Sequence, residues 1–82
     1  MSSTELAEKI QDLIAQSLGV PRERVTPETK FLADLDADSL DIIELVLTLE
    51  KTYGLSIPEQ DARKINTVQD VVDYVAARVP SA

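Results

Sequence analysis

The chain has 82 residues with no cysteine and no histidine, and 15 acidic residues against 8 basic ones give it a net charge of −7. This length predicts a single small domain, residues 1–82, and the missing residue types exclude a disulfide framework, a thiolate or imidazole metal site and a Ser-His-Asp triad within it. We therefore expect a protein that is not an enzyme. The acidic balance argues against nucleic acid as a partner and favours basic protein surfaces, unless the charge serves solubility alone.

The sequence carries no signal for a membrane span or for export. No apolar run is long enough to cross a bilayer, and the N-terminus is too polar for a signal peptide. The most hydrophobic run, IIELVLTL, is interrupted by Glu44. These features predict a soluble, cytoplasmic protein.

The first predicted helix covers about residues 3–18. Ser2 and Glu5 have the spacing of a capping box, and Gly19 followed by Pro21 supplies the end of the helix. The apolar residues that recur at helical spacing are Leu6, Ile10, Leu13 and Ile14.

Residues 19–38 form a long connection without a sustained hydrophobic period. A connection of this length in a small domain is usually held to the core by apolar anchors, and it often carries function. We expect one short helical turn within it. The candidate anchors are Val20, Val25, Phe31, Leu32 and Leu35.

The second main helix is predicted to begin at Asp38 or Ser39 and to end near Tyr53, with Gly54 as its C-terminal cap. Asp38 can accept hydrogen bonds from the free N–H groups of the first turn, and Asp41 places negative charge where the helix dipole favours it. A helical wheel predicts a buried face made of Ile42, Ile43, Val46, Leu49 and Tyr53.

A second apolar shoulder lies on the same predicted helix. The wheel places Leu40 and Leu47 there, beside Glu44 and Lys51 and away from the buried face. This shoulder is more apolar surface than core packing requires.

Two further helices complete the predicted fold. Pro58 suits the first turn of a short helix of about six residues, and Thr67 with Asp70 resembles a capping box before a longer helix. Pro80 ends that helix, and the last three residues are expected to form a loose tail. The apolar positions of the last helix are Val68, Val71, Val72, Val75 and Val79. The sequence thus predicts an all-α fold, a small four-helix bundle of three main helices and one short one, with a long loop between the first and second.

The stretch DLDADSLDIIEL raises the question of a calcium loop. Asp34, Asp36 and Asp38 occupy positions 1, 3 and 5 of an EF-hand loop. Position 6 is Ser39 instead of the glycine that permits the turn, and position 12 is Leu45 instead of the bidentate glutamate. We therefore predict no metal site here, and an EF-hand-like calcium-binding protein remains an alternative from a different class.

Ser39 directly follows the residue that best caps the second helix. A serine at such a position most often caps the helix itself. Because Asp38 fills that role, we expect the Ser39 hydroxyl to face solvent at the positive end of the helix dipole.

With Asp38-Ser39-Leu40 at its centre, LDADSLDIIEL resembles the phosphopantetheine attachment motif of acyl carrier proteins. LGVPRERVTPETKFLADL before it and LEKTYGLSIPEQDARKINTVQDVVDYV after it also resemble that family, as do the length, the acidity and the order of the helices. The resemblance covers nearly the whole chain, and it is strongest for the discrete bacterial carriers of fatty acid synthesis.

The resemblance implies a non-catalytic carrier. In this family the serine, here Ser39, receives 4′-phosphopantetheine from coenzyme A through a separate phosphopantetheinyl transferase (holo-carrier synthase). The thiol of that arm holds growing acyl chains as thioesters and delivers them among fatty acid synthesis enzymes. A chain without cysteine fits this role, because it can hold a thioester only on an imported thiol. A polyketide acyl carrier protein is the alternative within the family, and a helical adaptor with an unmodified serine is one outside it.

The resemblance also implies sites for partners and cargo, in a protein expected to be a monomer. Partner enzymes with basic docking patches meet the second helix in this family, which implies contacts at Asp38, Leu40, Asp41, Glu44, Leu47 and Glu50. An ordinary solvated face is the alternative, and the wheel places Glu50 at the edge of the buried face. The family shelters acyl chains between its helices, and the matching positions are Ile42, Val46, Leu49, Ala62 and Ile65, for which core packing is the alternative.

Two features depart from the family's pattern. Asp36 stands where glycine is common, and if that position requires a positive φ, aspartate carries some strain there. Lys51 and Arg63 stand where many members are acidic, so they make the lower part of the recognition face less negative.

Overall fold

The computed structural model describes residues 3–79, and within that range it contains five α-helices and no β-strand. The elements are α1 (Ser3–Leu18), a 3₁₀ turn (Arg22–Arg24), α2 (Phe31–Leu35), α3 (Ser39–Tyr53), α4 (Glu59–Ala62) and α5 (Val68–Arg78). The predicted all-α class with three main helices is confirmed. The short helix expected in the long connection is α2, so that the bundle has two short helices instead of one.

The hydrophobic core lies where α1 packs against both α3 and α5. Each of these helices is amphipathic, so that one apolar stripe per helix is removed from water. Phe31 and Val25 from the long connection close the core. The buried apolar residues are Leu6, Ile10, Ile14, Ala15, Val25, Phe31, Leu35, Ala37, Leu45, Leu49, Ile57, Val68, Val71, Val72 and Val75.

The predicted ends of the three main helices are confirmed where the structure describes them. Asp38 caps α3 and Thr67 caps α5, each in a reciprocal capping box with the acidic residue three positions later. Gly19 and Gly54 have φ values of 66° and 65°, the left-handed conformation that ends a helix at low steric cost. The predicted cap at Ser2, Pro80 and the tail lie outside the described residues.

The long connection is held to the start of α5 by backbone pairing. Lys30 and Thr67 form an isolated antiparallel bridge, with Phe31 N–H donating to Asn66 at 3.2 Å and Val68 N–H donating to Thr29 at 3.0 Å. Of the five predicted anchors, Leu32 is wrong, because its side chain is 64% exposed. The other four are buried or pack against the core.

The buried face of α3 differs from the prediction by one residue. Ile43 is 54% exposed, whereas Leu45 is 2% exposed and belongs to the core. At ~100° per residue, Leu45 lies ~60° from Ile42 on the wheel and Ile43 lies ~100° from it on the other side. The buried stripe therefore lies on the Leu45 and Leu49 side of Ile42, and Ile43 falls outside it.

Helix α4 is shorter than predicted. It has four residues instead of about six, and Pro58 is its N-cap. Beyond Ala62 the chain continues in tighter turns, since Lys64 N–H donates to Asp61 and Ile65 N–H donates to Ala62. Such i to i+3 hydrogen bonds are typical of 3₁₀ turns at helix ends.

Candidate functional site

Ser39 is the first residue of α3, and its side chain is exposed. Asp41 N–H donates to the Asp38 carboxylate at 2.9 Å, and Asp38 N–H donates to the Asp41 carboxylate at 3.2 Å. The free N–H groups of the first turn are thus capped by Asp38 and not by the serine. The Ser39 hydroxyl is left at the surface, at the positive end of a helix of 15 residues.

Asp36 makes the turn that brings α3 into place after α2. Its backbone is left-handed, with φ 54° and ψ 28°, and it is the one non-glycine residue with positive φ between residues 3 and 79. Ala37, directly after it, is buried and donates its N–H to Phe31 at 3.0 Å. The position that is commonly glycine in the resembled family thus has the conformation that favours glycine.

A groove with a volume of ≈ 710 Å³ begins at Ser39 and runs between α3, α2 and the α4 segment. Most of its lining is apolar, with polar side chains at a few positions. The lining residues are Phe31, Leu32, Ser39, Ile42, Ile43, Val46, Leu47, Glu50, Ile57, Glu59, Ala62, Arg63, Ile65 and Asn66. The arrangement places a free hydroxyl beside a space that suits an apolar chain.

Four of the five predicted cargo residues lie along this groove: Ile42, Val46, Ala62 and Ile65. The fifth, Leu49, is 1% exposed and belongs to the core, so its contact with cargo stays a prediction. At ~100° per residue, Leu49 lies ~60° from Val46, on the side of the stripe that also contains Leu45. This rotation turns it from the groove toward the interior.

Several residues that line the groove were not predicted from the sequence to do so. Leu32 and Ile43 line the groove and are largely exposed there. For Ile43, the helical wheel of α3 could have shown that this residue lies off the buried stripe. No periodic signal marked Leu32, because α2 has only five residues. The exposure of Leu40 and Leu47, at 62% and 49%, agrees with the second apolar shoulder that the sequence predicts on α3.

The acidic residues of α3 divide into two groups by their contacts. Glu44 is exposed, and the carboxylates of Asp38 and Asp41 lie at the surface while they cap the helix. Glu50 is half-buried, and its carboxylate accepts the Ile57 N–H at 2.8 Å. Glu50 therefore has a structural partner inside the chain, whereas Glu44 presents its charge to solvent.

Two basic residues lie at the lower end of this face. Lys51 is exposed. Arg63 is exposed as well, lines the groove and forms an ion pair with Glu59 at 2.6 Å, one turn earlier. Exposed pairs of this kind contribute about 0–1 kcal/mol to stability, so the pair matters more for the local charge than for the fold.

Two of the three alternate aspartates accept hydrogen bonds from backbone N–H groups. The Asp34 carboxylate accepts the Lys30 N–H at 2.8 Å, and Asp38 caps α3. No group of three acidic residues that could hold a metal ion is found between residues 3 and 79. Over the same part of the chain, every helix falls short of the length and apolarity that a membrane crossing requires.

Comparison with known proteins agrees with this geometry. A family described as "Phosphopantetheine attachment site" matches residues 8–75, and in carriers of this family the domain is the site of covalent 4′-phosphopantetheine attachment. The chain is 49% identical to an acyl carrier protein of Rubrobacter xylanophilus over 75 residues, which cover 92% of this chain and 93% of that protein. It is 44% identical to an acyl carrier protein of Thermosynechococcus vestitus over 79 residues, or 96% of this chain and 98% of that one. The chain therefore belongs to the acyl carrier protein family.

Proposed function

We propose that this protein carries growing acyl chains as thioesters on 4′-phosphopantetheine attached to Ser39, and that it serves dissociated fatty acid synthesis. The observation that carries the proposal is the free Ser39 hydroxyl at the start of α3, next to the apolar groove. A polyketide acyl carrier is the alternative within the family.

Ser39 suits the attachment of a phosphate ester. Its hydroxyl is exposed and is not used to cap the helix, so a transferase can reach it. The N-terminus of α3 favours negative charge near this position, although Asp38 and Asp41 partly oppose it. When bound, the cofactor supplies the thiol that this chain lacks.

The groove suits the cargo. Ile42, Val46 and Ile65 offer apolar surface beside Ser39. Each methylene that leaves water for such a surface contributes about 0.8 kcal/mol. A chain of several methylenes would therefore favour the groove over solvent, whereas an acetyl group would gain little.

The exposed part of α3 suits a docking surface for partner enzymes. Glu44 lies on this helix with the surface carboxylates of Asp38 and Asp41, and Leu40 and Leu47 expose apolar side chains on it. Acidic groups steer the approach of a basic partner, and desolvated apolar contacts then hold it. These five residues form the docking surface that we propose. Glu50 is not included, because its carboxylate already accepts a hydrogen bond from the Ile57 N–H, and its role in partner binding stays a prediction.

The chain itself offers little for catalysis of thioester cleavage. It has no histidine and no cysteine. A carrier benefits from this composition, because a general base beside the thioester would promote hydrolysis of the cargo. We infer that the chemistry on the acyl group belongs to its partner enzymes.

The attachment is tested by intact mass after incubation with coenzyme A, magnesium and a phosphopantetheinyl transferase. We expect a mass gain of one phosphopantetheine in the wild type and none in Ser39→Ala. Ser56→Ala, which removes another exposed serine, is the matched control and should still be modified. Failure of the wild type to gain mass with several transferases would overturn the proposal.

The pathway is tested with the loaded protein. We expect kcat/KM for acyl transfer to a fatty acid ketosynthase to exceed that for a polyketide ketosynthase. The reverse preference would assign the chain to polyketide synthesis and leave the carrier function intact.

A further inference from the structure

Helix α4 forms one wall of the groove without a buried side chain of its own. Glu59, Ala62 and Arg63 line the groove, and none of the four residues of α4 is buried. A helix this short is far below the length of about 12 residues at which helices become stable alone. Its position must therefore be fixed by contacts with the rest of the molecule.

Both ends of the α4 segment are fixed through the backbone. At the start, Ile57 N–H donates to the Glu50 carboxylate at 2.8 Å. At the end, Asn66 accepts the Phe31 N–H at 3.2 Å, next to the bridge between Lys30 and Thr67. These contacts fix the backbone at residues 57 and 66. The position of α4 between them must then depend on contacts of its side chains.

The middle of α4 is joined to α5 by Asp61. The Tyr74 hydroxyl donates to the Asp61 carboxylate at 2.6 Å, and Arg78 approaches the same carboxylate oxygen at 3.7 Å. The Arg78 guanidinium also lies over the Tyr74 ring, 3.5 Å from its centroid. The pKa of Tyr74 is raised, mainly by desolvation and next by the hydrogen bond to Asp61. The hydroxyl therefore keeps its proton and remains a donor.

These three residues lie outside the groove. Asp61, Tyr74 and Arg78 line a separate cleft, and none of them lines the groove. The next residue, Ala62, lines the groove. A shift of Asp61 relative to α5 must therefore move the groove wall, since α4 is only one turn long.

We propose that Asp61, Tyr74 and Arg78 form a latch that sets the width of the groove, and that Tyr74 is a positioning residue for the sheltering of acyl chains. The proposal rests on the proposed function, because it takes the groove to be the site of the cargo. Releasing the latch loosens the wall and exposes a seated chain to solvent. A cargo too short to reach the groove is unaffected.

The test compares thioester cleavage by hydroxylamine in the holo protein loaded with octanoyl or acetyl groups. In the wild type we expect octanoyl to be cleaved more slowly than acetyl. Tyr74→Phe and Asp61→Ala should lower the ratio of the acetyl to the octanoyl cleavage rate by about two- to tenfold, the factor that corresponds to the net free energy of one hydrogen bond. Asp61→Asn keeps a hydrogen-bond acceptor for Tyr74 and should retain more of the protection.

Two controls separate the latch from general stability. Tyr53→Phe removes the other of the two tyrosine hydroxyls in the chain, and Asp73→Ala removes a carboxylate that is bound by Gln69 within α5. Both should behave as the wild type. The rate for the acetyl form should be the same in all variants, because that group does not reach the wall.

The outcomes distinguish the latch from the proposed function. If the wild type protects octanoyl and the latch variants protect it equally well, the latch is wrong and the carrier function stands. If the wild type does not protect octanoyl, the groove does not shelter the cargo, and the latch falls with it. Hydrogen exchange at the α4 amides of the unloaded protein gives a second readout, since unchanged exchange in Tyr74→Phe would overturn the latch alone.

Discussion

The Glu50 carboxylate accepts a hydrogen bond from the Ile57 backbone N–H at 2.8 Å and so joins α3 to the segment that carries α4. Ile57 is buried, with 7% of its surface exposed. An unpaired N–H at a buried residue is costly, so this contact fixes the chain between the two helices. The same glutamate lies on the groove and on the helix that we propose as the docking surface.

We predict that Glu50→Ala destabilises the fold by about 1–3 kcal/mol, because it leaves the Ile57 N–H without a partner. Glu50→Gln keeps an acceptor and should cost less. Urea denaturation measures both, with Glu44→Ala at an exposed position as the control, for which a change within about 0.5 kcal/mol is expected. Normal stability of Glu50→Gln together with slower acyl transfer would instead reveal a partner contact at Glu50.

Asp36 allows a test of backbone strain. Its φ of 54° is in the region that glycine adopts readily and other residues adopt at a cost. We predict that Asp36→Gly is more stable than Asp36→Ala by about 1 kcal/mol, although both remove the same charge. Chemical denaturation of the two variants measures the difference. Equal stabilities would show that this turn places no demand on the residue.

Much of the fold follows from local signals in the sequence. Capping residues at Asp38 and Thr67 and the glycine after Tyr53 mark helix ends through backbone hydrogen bonding, which acts over three or four residues. Ser39 could be singled out for the same reason, since its neighbour takes the capping role. These features depend on nearest neighbours and need no knowledge of packing.

The groove was less predictable, because its lining depends on how the helices are rotated against one another. Ile43 was predicted to be buried and is exposed, whereas Leu45, two positions later on α3, belongs to the core. Leu32 is on a helix of five residues, too short for a hydrophobic period to show which side is buried. The contact of Asp61 with Tyr74 spans 13 residues and has no local signal at all.

Acid should weaken the start of α5 through Asp70. Hydrogen bonds from the backbone N–H groups of Thr67 and Asn66 lower the pKa of Asp70 below its ordinary value. Because the pKa is lower in the folded state, the stabilisation is present above the unfolded value of about 3.9 and is lost as the pH falls through the folded one. We predict that the free energy of unfolding decreases as the pH falls from the unfolded to the folded pKa of Asp70. Asp70→Asn should make this dependence on pH less steep.

The measurement for Asp70 is the free energy of unfolding as a function of pH, from urea titrations of the wild type and Asp70→Asn. Asp73→Asn removes an exposed carboxylate from the same helix and controls for the change in net charge. If the two variants show the same slope, the capping box is not the source of the acid sensitivity.

Charge reversal at Glu44 tests the proposed docking surface. The side chain is exposed in the middle of α3, between the apolar residues Leu40 and Leu47. We predict that Glu44→Lys lowers kcat/KM for acyl transfer to a basic partner enzyme several-fold at low salt, because it weakens the attraction that steers the encounter. The loss should shrink as salt approaches about 1 M, where charges are screened beyond about 3 Å. Glu23→Lys makes the same charge change at an exposed position in the 3₁₀ turn and should leave transfer near the wild-type rate, with both variants retaining the helical circular dichroism spectrum. Equal rates for Glu44→Lys and Glu23→Lys would mean that Glu44 belongs to an ordinary solvated face and that partners dock elsewhere.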